Sequence, residues 1–226
     1  MELMLRLLAM FILLLPSSLW AATVYIDNTC ANNGDGTSSS CAARVGAIGA
    51  LNAVPATIRV TGDNSYLIKR GTTIVVAGNQ VTNITGGGAS DLARFTLGAY
   101  GTGARPILRA NMRALLITAP AKWVTIRDLE FSNMALTLDG SSAIIGTHAV
   151  TQDAYITIDN VLISNITDAS GGASGQDCLT IRGRHNKVLN SIITGCSQDG
   201  IQFYGDYFTA IGNTISNVSK GDVFGD

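Results

Sequence analysis

The stretches QDCLTIRG (residues 176–183) and QDGIQFYG (residues 198–205) decide the fold, because the second repeats the first. They share their Gln, Asp and final Gly, and carry Leu179 and Ile201 at the same place. A third partial copy, GDVFG, places Val223 after Ile201 at the same interval that separates Ile201 from Leu179. Repetition at a short interval is typical of a solenoid, in which each repeat stacks on the one before.

A second pattern lies between these copies and alternates apolar and polar residues, as a β-strand does. Its four occurrences are VTIRDLEFSN (124–133), ITIDNVLISN (156–165), NKVLNSIITG (186–195) and FTAIGNTISN (208–217). The units end at unequal intervals. This predicts parallel coils of at least two strands each, in which the extra residues of the longer coils form loops. Asn closes most units, and Asn tolerates the left-handed conformation of a turn and can bond to its stacked copy.

The repeat predicts which side chains form the core. Equivalent residues of successive coils should stack roughly 4.8 Å apart, the spacing of strands in a sheet. We expect two inward ladders, one of Leu179, Ile201 and Val223 and the other of Ile126, Ile158, Val188 and Ala210.

The composition also favours strands over helices. Beyond Ala22 the chain has one Glu, Glu130, and four Lys, although exposed helices favour both residue types. Gly, Asn, Thr, Ser and Asp dominate with Ile and Val, as in short strands joined by tight turns. Residues 43–56 differ, because their apolar residues recur at every third position until Pro55. This predicts a helical cap around residues 45–54.

The segment 1–22 is typical of a secretory signal peptide. Arg6 precedes an apolar run at 7–15, and small residues follow at Ala21 and Ala22, where we expect cleavage. No later segment reaches the about 20 apolar residues that cross a membrane, so we expect a secreted, periplasmic or cell-surface protein without a span. Beyond Ala22 there are 14 Lys and Arg against 15 Asp and Glu, which argues against a nucleic-acid partner.

Four cysteines follow the signal segment, in a compartment that permits disulfides. Cys30 and Cys41 bracket the polar stretch ANNGDGTSSS, and we expect them to be bonded, because a bridge would pin a loop with almost no apolar residues. Cys178 and Cys196 either pair or lie apart as small buried apolar residues. The sequence leaves both interpretations open.

Three further phrases carry a family resemblance: TVYIDNTCANNGDGTS (23–38), GDNSYLIKRGTTI (62–74) and FTLGAYGTGARPIL (95–108). With the repeat, they make the chain resemble the right-handed parallel β-helix proteins of the pectate-lyase-like superfamily. The resemblance covers residues 23–226 and implies an all-β solenoid. With the signal peptide at 1–22, we expect a first strand, loop and cap at 23–56 and the β-helix at 57–226. Since residue 226 falls midway through a coil, we expect a longer parent protein. The fold implies no particular reaction.

A narrower resemblance concerns two carboxylates. QDCLTI is similar to the DDCIAI motif of polygalacturonases, and TQD at 151–153 to their NTD motif, which implies Asp153 and Asp177 as catalytic residues. The match is partial, because Gln176 replaces the first Asp and Asp199 stands where a Gly-His is expected. Alternatively, Asp177 and Asp199 accept backbone N–H bonds in their own turns, or share a Ca²⁺ ion or a proton. These alternatives stay open, and no other cofactor is indicated.

A second group of side chains suits elimination chemistry on a uronate polymer. If Leu179 points inward, Arg182 points outward and stacks beside Tyr204. Elimination needs a cation that neutralises the uronate carboxylate, a base that removes the C5 proton and an acid that protonates the leaving oxygen. Arg or Lys, together with His or Tyr, can fill these roles. The catalytic candidates are Arg182, His185, Tyr204, Asp177 and Asp199, and the substrate-binding candidates are Tyr207 and Lys187.

Two functions are consistent with these observations. One is a secreted lyase or polygalacturonase-like glycosidase that acts on an acidic polysaccharide. The other is a non-catalytic, adhesin-type β-helix that offers a long surface for binding. The sequence does not decide whether the protein is an enzyme.

Overall fold

The computed structural model describes residues 23–27, 29, 36, 38–39, 65–76, 80–170, 175–219 and 221–225. All regular structure in these residues is β-strand. The described part of the chain contains no helix long and apolar enough to cross a membrane. The predicted signal peptide, the predicted cap around 45–54 and the predicted Cys30–Cys41 bond lie outside the described residues.

The strands form three parallel sheets, and each coil from β2 onward gives one strand to each sheet. Sheet A contains β1 (Thr23–Ile26), β2 (Ser65–Lys69), β5 (Phe95–Tyr100), β8 (Val124–Arg127), β11 (Thr157–Asp159), β14 (Lys187–Leu189) and β17 (Thr209–Ile211). Sheet B contains β3 (Thr73–Val76), β6 (Ile107–Ala110), β9 (Glu130–Leu136), β12 (Leu162–Asp168), β15 (Ile192–Cys196) and β18 (Thr214–Val218). Sheet C contains β4 (Gln80–Ile84), β7 (Arg113–Ile117), β10 (Ser142–Gly146), β13 (Asp177–Arg182), β16 (Asp199–Tyr204) and β19 (Gly221–Gly225). The predicted parallel β-helix is confirmed.

The strand register confirms the predicted pairing along both ladders. In sheet C, Leu179 pairs with Ile201, which pairs in turn with Val223. In sheet A, Ile158 lies between Ile126 and Val188, and all three side chains are completely buried. Ala210 continues the register in β17, the last described strand of sheet A, where it is exposed. The core is therefore a stack of apolar side chains enclosed by the three sheets.

Asparagines stabilise the coils where the units close, as predicted. Asn133, Asn165 and Asn217 all have left-handed backbones, with φ of 53°, 54° and 54°. The side-chain amide of Asn165 donates to Asn133 Oδ1 at 3.0 Å. Each coil thus repeats the backbone geometry of its neighbour, which keeps equivalent side chains in register along the axis.

A disulfide joins Cys178 to Cys196, with 5.5 Å between their Cα atoms. It links the start of β13 to the end of β15 in the next coil. The alternative that the two cysteines lie apart is therefore wrong.

Candidate functional site

Four aromatic rings stack on one another at the turn that leads from sheet C into sheet A. Successive coils contribute Trp123, Tyr155, His185 and Tyr207. Their centroids are separated by 3.7, 4.8 and 4.7 Å, and their planes are tilted by 9°, 7° and 4°. The spacing follows that of parallel strands, because each ring stands on the equivalent residue of the next coil.

The four ring residues share a left-handed backbone, with φ between 54° and 62°. Every other described residue with positive φ is Asn, Asp or Gly, the types that tolerate this conformation. For a bulky L-residue the conformation costs roughly 1–2 kcal/mol. Each stacked pair contributes about 0.5–1.5 kcal/mol beyond its buried area. The three stacked pairs therefore offset part of the backbone cost of the four left-handed residues.

The ring stack borders a groove of about 390 Å³. Outward-facing residues of sheet A line the groove beside the rings: Thr157 of β11, Lys187 of β14 and Thr209 of β17. Asp91 and Arg94, from the loop before β5, complete the lining. We call this feature the stacked-ring groove. It crosses several coils and so extends along the axis of the solenoid.

Arg94 fixes the Trp123 end of the groove. Its guanidinium carbon lies 5.5 Å from the centroid of the Trp123 ring, and Nη1 pairs with Asp91 at 2.7 Å. Its other nitrogens donate to the hydroxyls of Thr125 and Thr157, both at 2.9 Å. Burial lowers the pKa of Arg94 and the Asp91 carboxylate opposes this, yet a guanidinium remains charged in proteins. One side chain thus ties three coils together.

His185 places an imidazole in the middle of the groove. The ring lies between those of Tyr155 and Tyr207, and its side chain is 36% exposed. Its Nε2 is 3.7 Å from Asp153 Oδ1, an oxygen that also forms an ion pair with Arg184 at 2.7 Å. The imidazole edge can therefore meet a ligand while the ring faces remain packed.

Asp177 and Asp199 occupy buried positions at the starts of β13 and β16, each 6% exposed. Asp177 Oδ1 accepts the backbone N–H of Asp199 at 3.2 Å, and Oδ2 accepts the Thr180 hydroxyl at 3.0 Å. At about 3.3 Å per residue, Asp177 lies roughly 16 Å from Arg182 at the other end of β13. The structure therefore places Asp177 away from Arg182, and its carboxylate accepts a hydrogen bond from the backbone of the next coil.

The alternative that Asp177 and Asp199 share a Ca²⁺ ion stays a hypothesis. Calcium takes six to eight oxygen ligands. The described residues contain no group of three or more His, Cys, Asp or Glu side chains that would hold a metal ion. The Asp177 carboxylate is also engaged by two hydrogen bonds, one from the Asp199 backbone of the next coil and one from Thr180 of its own strand.

Arg182 and Tyr204 form the pair that the repeat predicts. They are partners in the register of sheet C, and the Arg182 guanidinium carbon lies 4.8 Å from the Tyr204 ring centroid. His185 and Tyr207 follow them in their respective coils, across the turn. Of the predicted site residues, only His185, Lys187 and Tyr207 line the stacked-ring groove.

Sequence reasoning missed Trp123, Tyr155, Asp91 and Arg94. A signal for the rings is present, because the repeat units begin at residues 124, 156, 186 and 208. The residue immediately before each unit is a member of the stack. An alignment extended by one position would have found the rings, whereas Asp91 and Arg94 belong to a loop that does not repeat.

Comparison with known proteins identifies the fold. No protein-family model and no curated protein matches the chain. Among solved structures, a rhamnogalacturonan lyase superposes with a TM-score of 0.57 at 15% identity, over 91% of this chain and 60% of that one. Pectate lyase Pel9A superposes with a TM-score of 0.54 at 15% identity, over 84% of this chain and 52% of that one. A GH136 lacto-N-biosidase from Eubacterium ramulus gives a TM-score of 0.47 at 12% identity, over 81% and 43%.

The chain therefore has the pectate-lyase-like parallel β-helix fold, as the sequence predicts. It spans 60% of the length of the rhamnogalacturonan lyase and 52% of that of the pectate lyase. At 15% identity the likeness concerns the fold.

Proposed function

We propose that the protein binds an acidic polysaccharide in the stacked-ring groove. The observation that carries the proposal is the backbone of the four ring residues. They are the only described residues other than Asn, Asp and Gly with positive φ. Strained backbone that recurs at one turn position in successive coils points to a need for the side chain itself.

The shape of the groove suits a linear polymer. The ring centroids extend over about 13 Å along the axis, so equivalent groups recur as they do along a sugar chain. Because the rings cover one another, they offer their edges, with the imidazole nitrogens and the Tyr hydroxyls as hydrogen-bonding groups.

The charge of the groove favours an acidic ligand. Arg94 and Asp91 neutralise each other at one end. Lys187 lines the groove, and no carboxylate of the described residues forms an ion pair with it. A uronate carboxylate would supply the missing counter-charge through a charge-assisted hydrogen bond. Structures named rhamnogalacturonan lyase and pectate lyase share the fold, which supports a polysaccharide as the ligand.

A second candidate function is cleavage of the same ligand by β-elimination. The observation that favours it is the imidazole of His185 within the groove, since a histidine can take up the C5 proton of a uronate. The C4–O bond then breaks as the C4=C5 bond forms, and the departing sugar oxygen takes up a proton from the imidazolium or from water. Ultraviolet absorbance of the unsaturated product would measure turnover, and His185→Gln should abolish it. Binding without turnover would favour the non-catalytic alternative.

The test compares three single substitutions in the full chain. Binding of an acidic oligogalacturonide and of its methyl ester is measured by calorimetry. Lys187→Ala should weaken binding of the acid roughly fivefold, as expected for an exposed ion pair, and leave the ester unaffected. Arg127→Ala is the matched control, because Arg127 is an exposed cation of sheet A that does not line the groove.

Arg182→Ala tests the competing surface on sheet C. A larger loss from this substitution than from Lys187→Ala would move the site to the Arg182–Tyr204 pair and refute the groove. Equal affinity of the wild-type protein for the acid and the ester would refute the charge argument.

A further inference from the structure

A second cleft shares the Trp123 side chain with the stacked-ring groove. It has a volume of about 420 Å³ and is lined by Thr85, the glycine-rich segment 86–89, Pro120, Lys122 and Trp123. The groove and this cleft therefore meet at a single residue, Trp123.

The loop between β4 and β5 lines both cavities. Its first half, residues 85–89, borders the second cleft, whereas Asp91 and Arg94 border the groove. The loop is seated tightly on the neighbouring coil, because a Cβ atom on Gly87 would lie 1.8 Å from the Lys122 carbonyl oxygen. Glycine permits this close approach, so the cleft has a fixed wall.

Lys122 gives the second cleft its charge. No carboxylate of the described residues forms an ion pair with it. Thr85 lines the same cavity, and so does Trp123, which follows Lys122 in the chain. The cavity thus combines a cation, a hydroxyl and an aromatic surface, the groups that together recognise a sugar with a carboxylate.

We propose that this cleft is a second sugar-binding site, which holds a further uronate residue of the same polysaccharide against Lys122. Trp123 then contacts the chain between the two sites. The inference rests on the proposed function, because it extends the same ligand beyond the groove.

The experiment measures affinity against chain length. The full chain and its Lys122→Ala variant are titrated with acidic oligogalacturonides of increasing length, by calorimetry and by tryptophan fluorescence. Trp123 and Trp20 are the two tryptophans of the chain, so with Trp20→Phe present in every variant the emission reports the junction of the two sites. Lys122→Arg keeps the charge and serves as the rescue variant, and thermal unfolding verifies that each variant is folded.

We expect wild-type affinity to rise once the oligosaccharide is long enough to occupy both cavities. Lys122→Ala should lose this gain, a roughly fivefold effect on the long ligand, and Lys122→Arg should restore it. If Lys122→Ala gains affinity with length just as the wild type does, the second site is refuted and the groove stands. If the wild type binds no acidic oligosaccharide of any length, the proposed function itself is refuted.

Discussion

Replacing Tyr155 by Ala should break the ring stack at its centre. Tyr155 is packed between Trp123, at 3.7 Å, and His185, at 4.8 Å. The substitution removes both ring pairs, and each pair contributes about 0.5–1.5 kcal/mol beyond its buried area. We therefore expect the free energy of unfolding to fall by about 1–3 kcal/mol, before any loss of buried area is counted.

Two further substitutions at Tyr155 separate the ring from the backbone. Tyr155→Phe keeps the ring and should unfold like the wild type. Tyr155→Gly loses the ring but relieves the left-handed backbone at φ 54°, so it should be more stable than Tyr155→Ala. The order of stability should be wild type and Phe, then Gly, then Ala.

Urea unfolding followed by circular dichroism measures this order, and thermal unfolding provides a second measurement. For a chain of this length, about 1 kcal/mol corresponds to about 2–4 °C in Tm. Binding of an acidic oligosaccharide should weaken in Tyr155→Ala and persist in Tyr155→Phe, because Trp123 and His185 depend on the central ring for their positions. A Tyr155→Ala variant that matches Tyr155→Phe in both stability and binding would refute the reasoning.

Two other predictions concern stability. Reducing the Cys178–Cys196 bond, which closes a loop with a sequence separation of 18, should lower the free energy of unfolding by about 3 kcal/mol; identical urea curves with and without reductant would contradict this. Stability should also fall as the pH drops below 6.5, because burial of His148 lowers its pKa from that value and the unfolded chain then binds the proton more tightly. The Nε2 atom of His148 donates to the Ala121 carbonyl oxygen. The buried Nδ1 atom has no hydrogen-bond partner among the described residues, so a proton added there would lack an acceptor. Unfolding measured against pH should show a weaker dependence in His148→Gln, and unchanged dependence would contradict the assignment.

The stacking of coils was predictable from sequence because it depends on a short, regular alternation. Leu179 and Ile201 lie at the same phase of the repeat, and the core accepts only apolar side chains there. The Arg182–Tyr204 pair followed from the same register. The burial of Asp177 was also implicit, because it lies two positions before Leu179 and so shares the inward side of the strand.

The groove was less predictable, because it depends on turns and on a loop. The ring residues adopt a left-handed turn conformation, which the alternation of apolar and polar residues does not predict. Arg94 reaches the hydroxyls of Thr125 and Thr157, which are 31 and 63 residues away in the chain. Such contacts arise only when the coils are stacked, and no periodic pattern marks them.

The most direct test of the central claim is a crystal structure of the full chain soaked with an acidic oligogalacturonide. We predict sugar residues along the rings from Trp123 to Tyr207, with a carboxylate in contact with the Lys187 ammonium group. An oligosaccharide bound on the outer face of sheet C beside Arg182 and Tyr204, with the stacked-ring groove empty, would contradict the account.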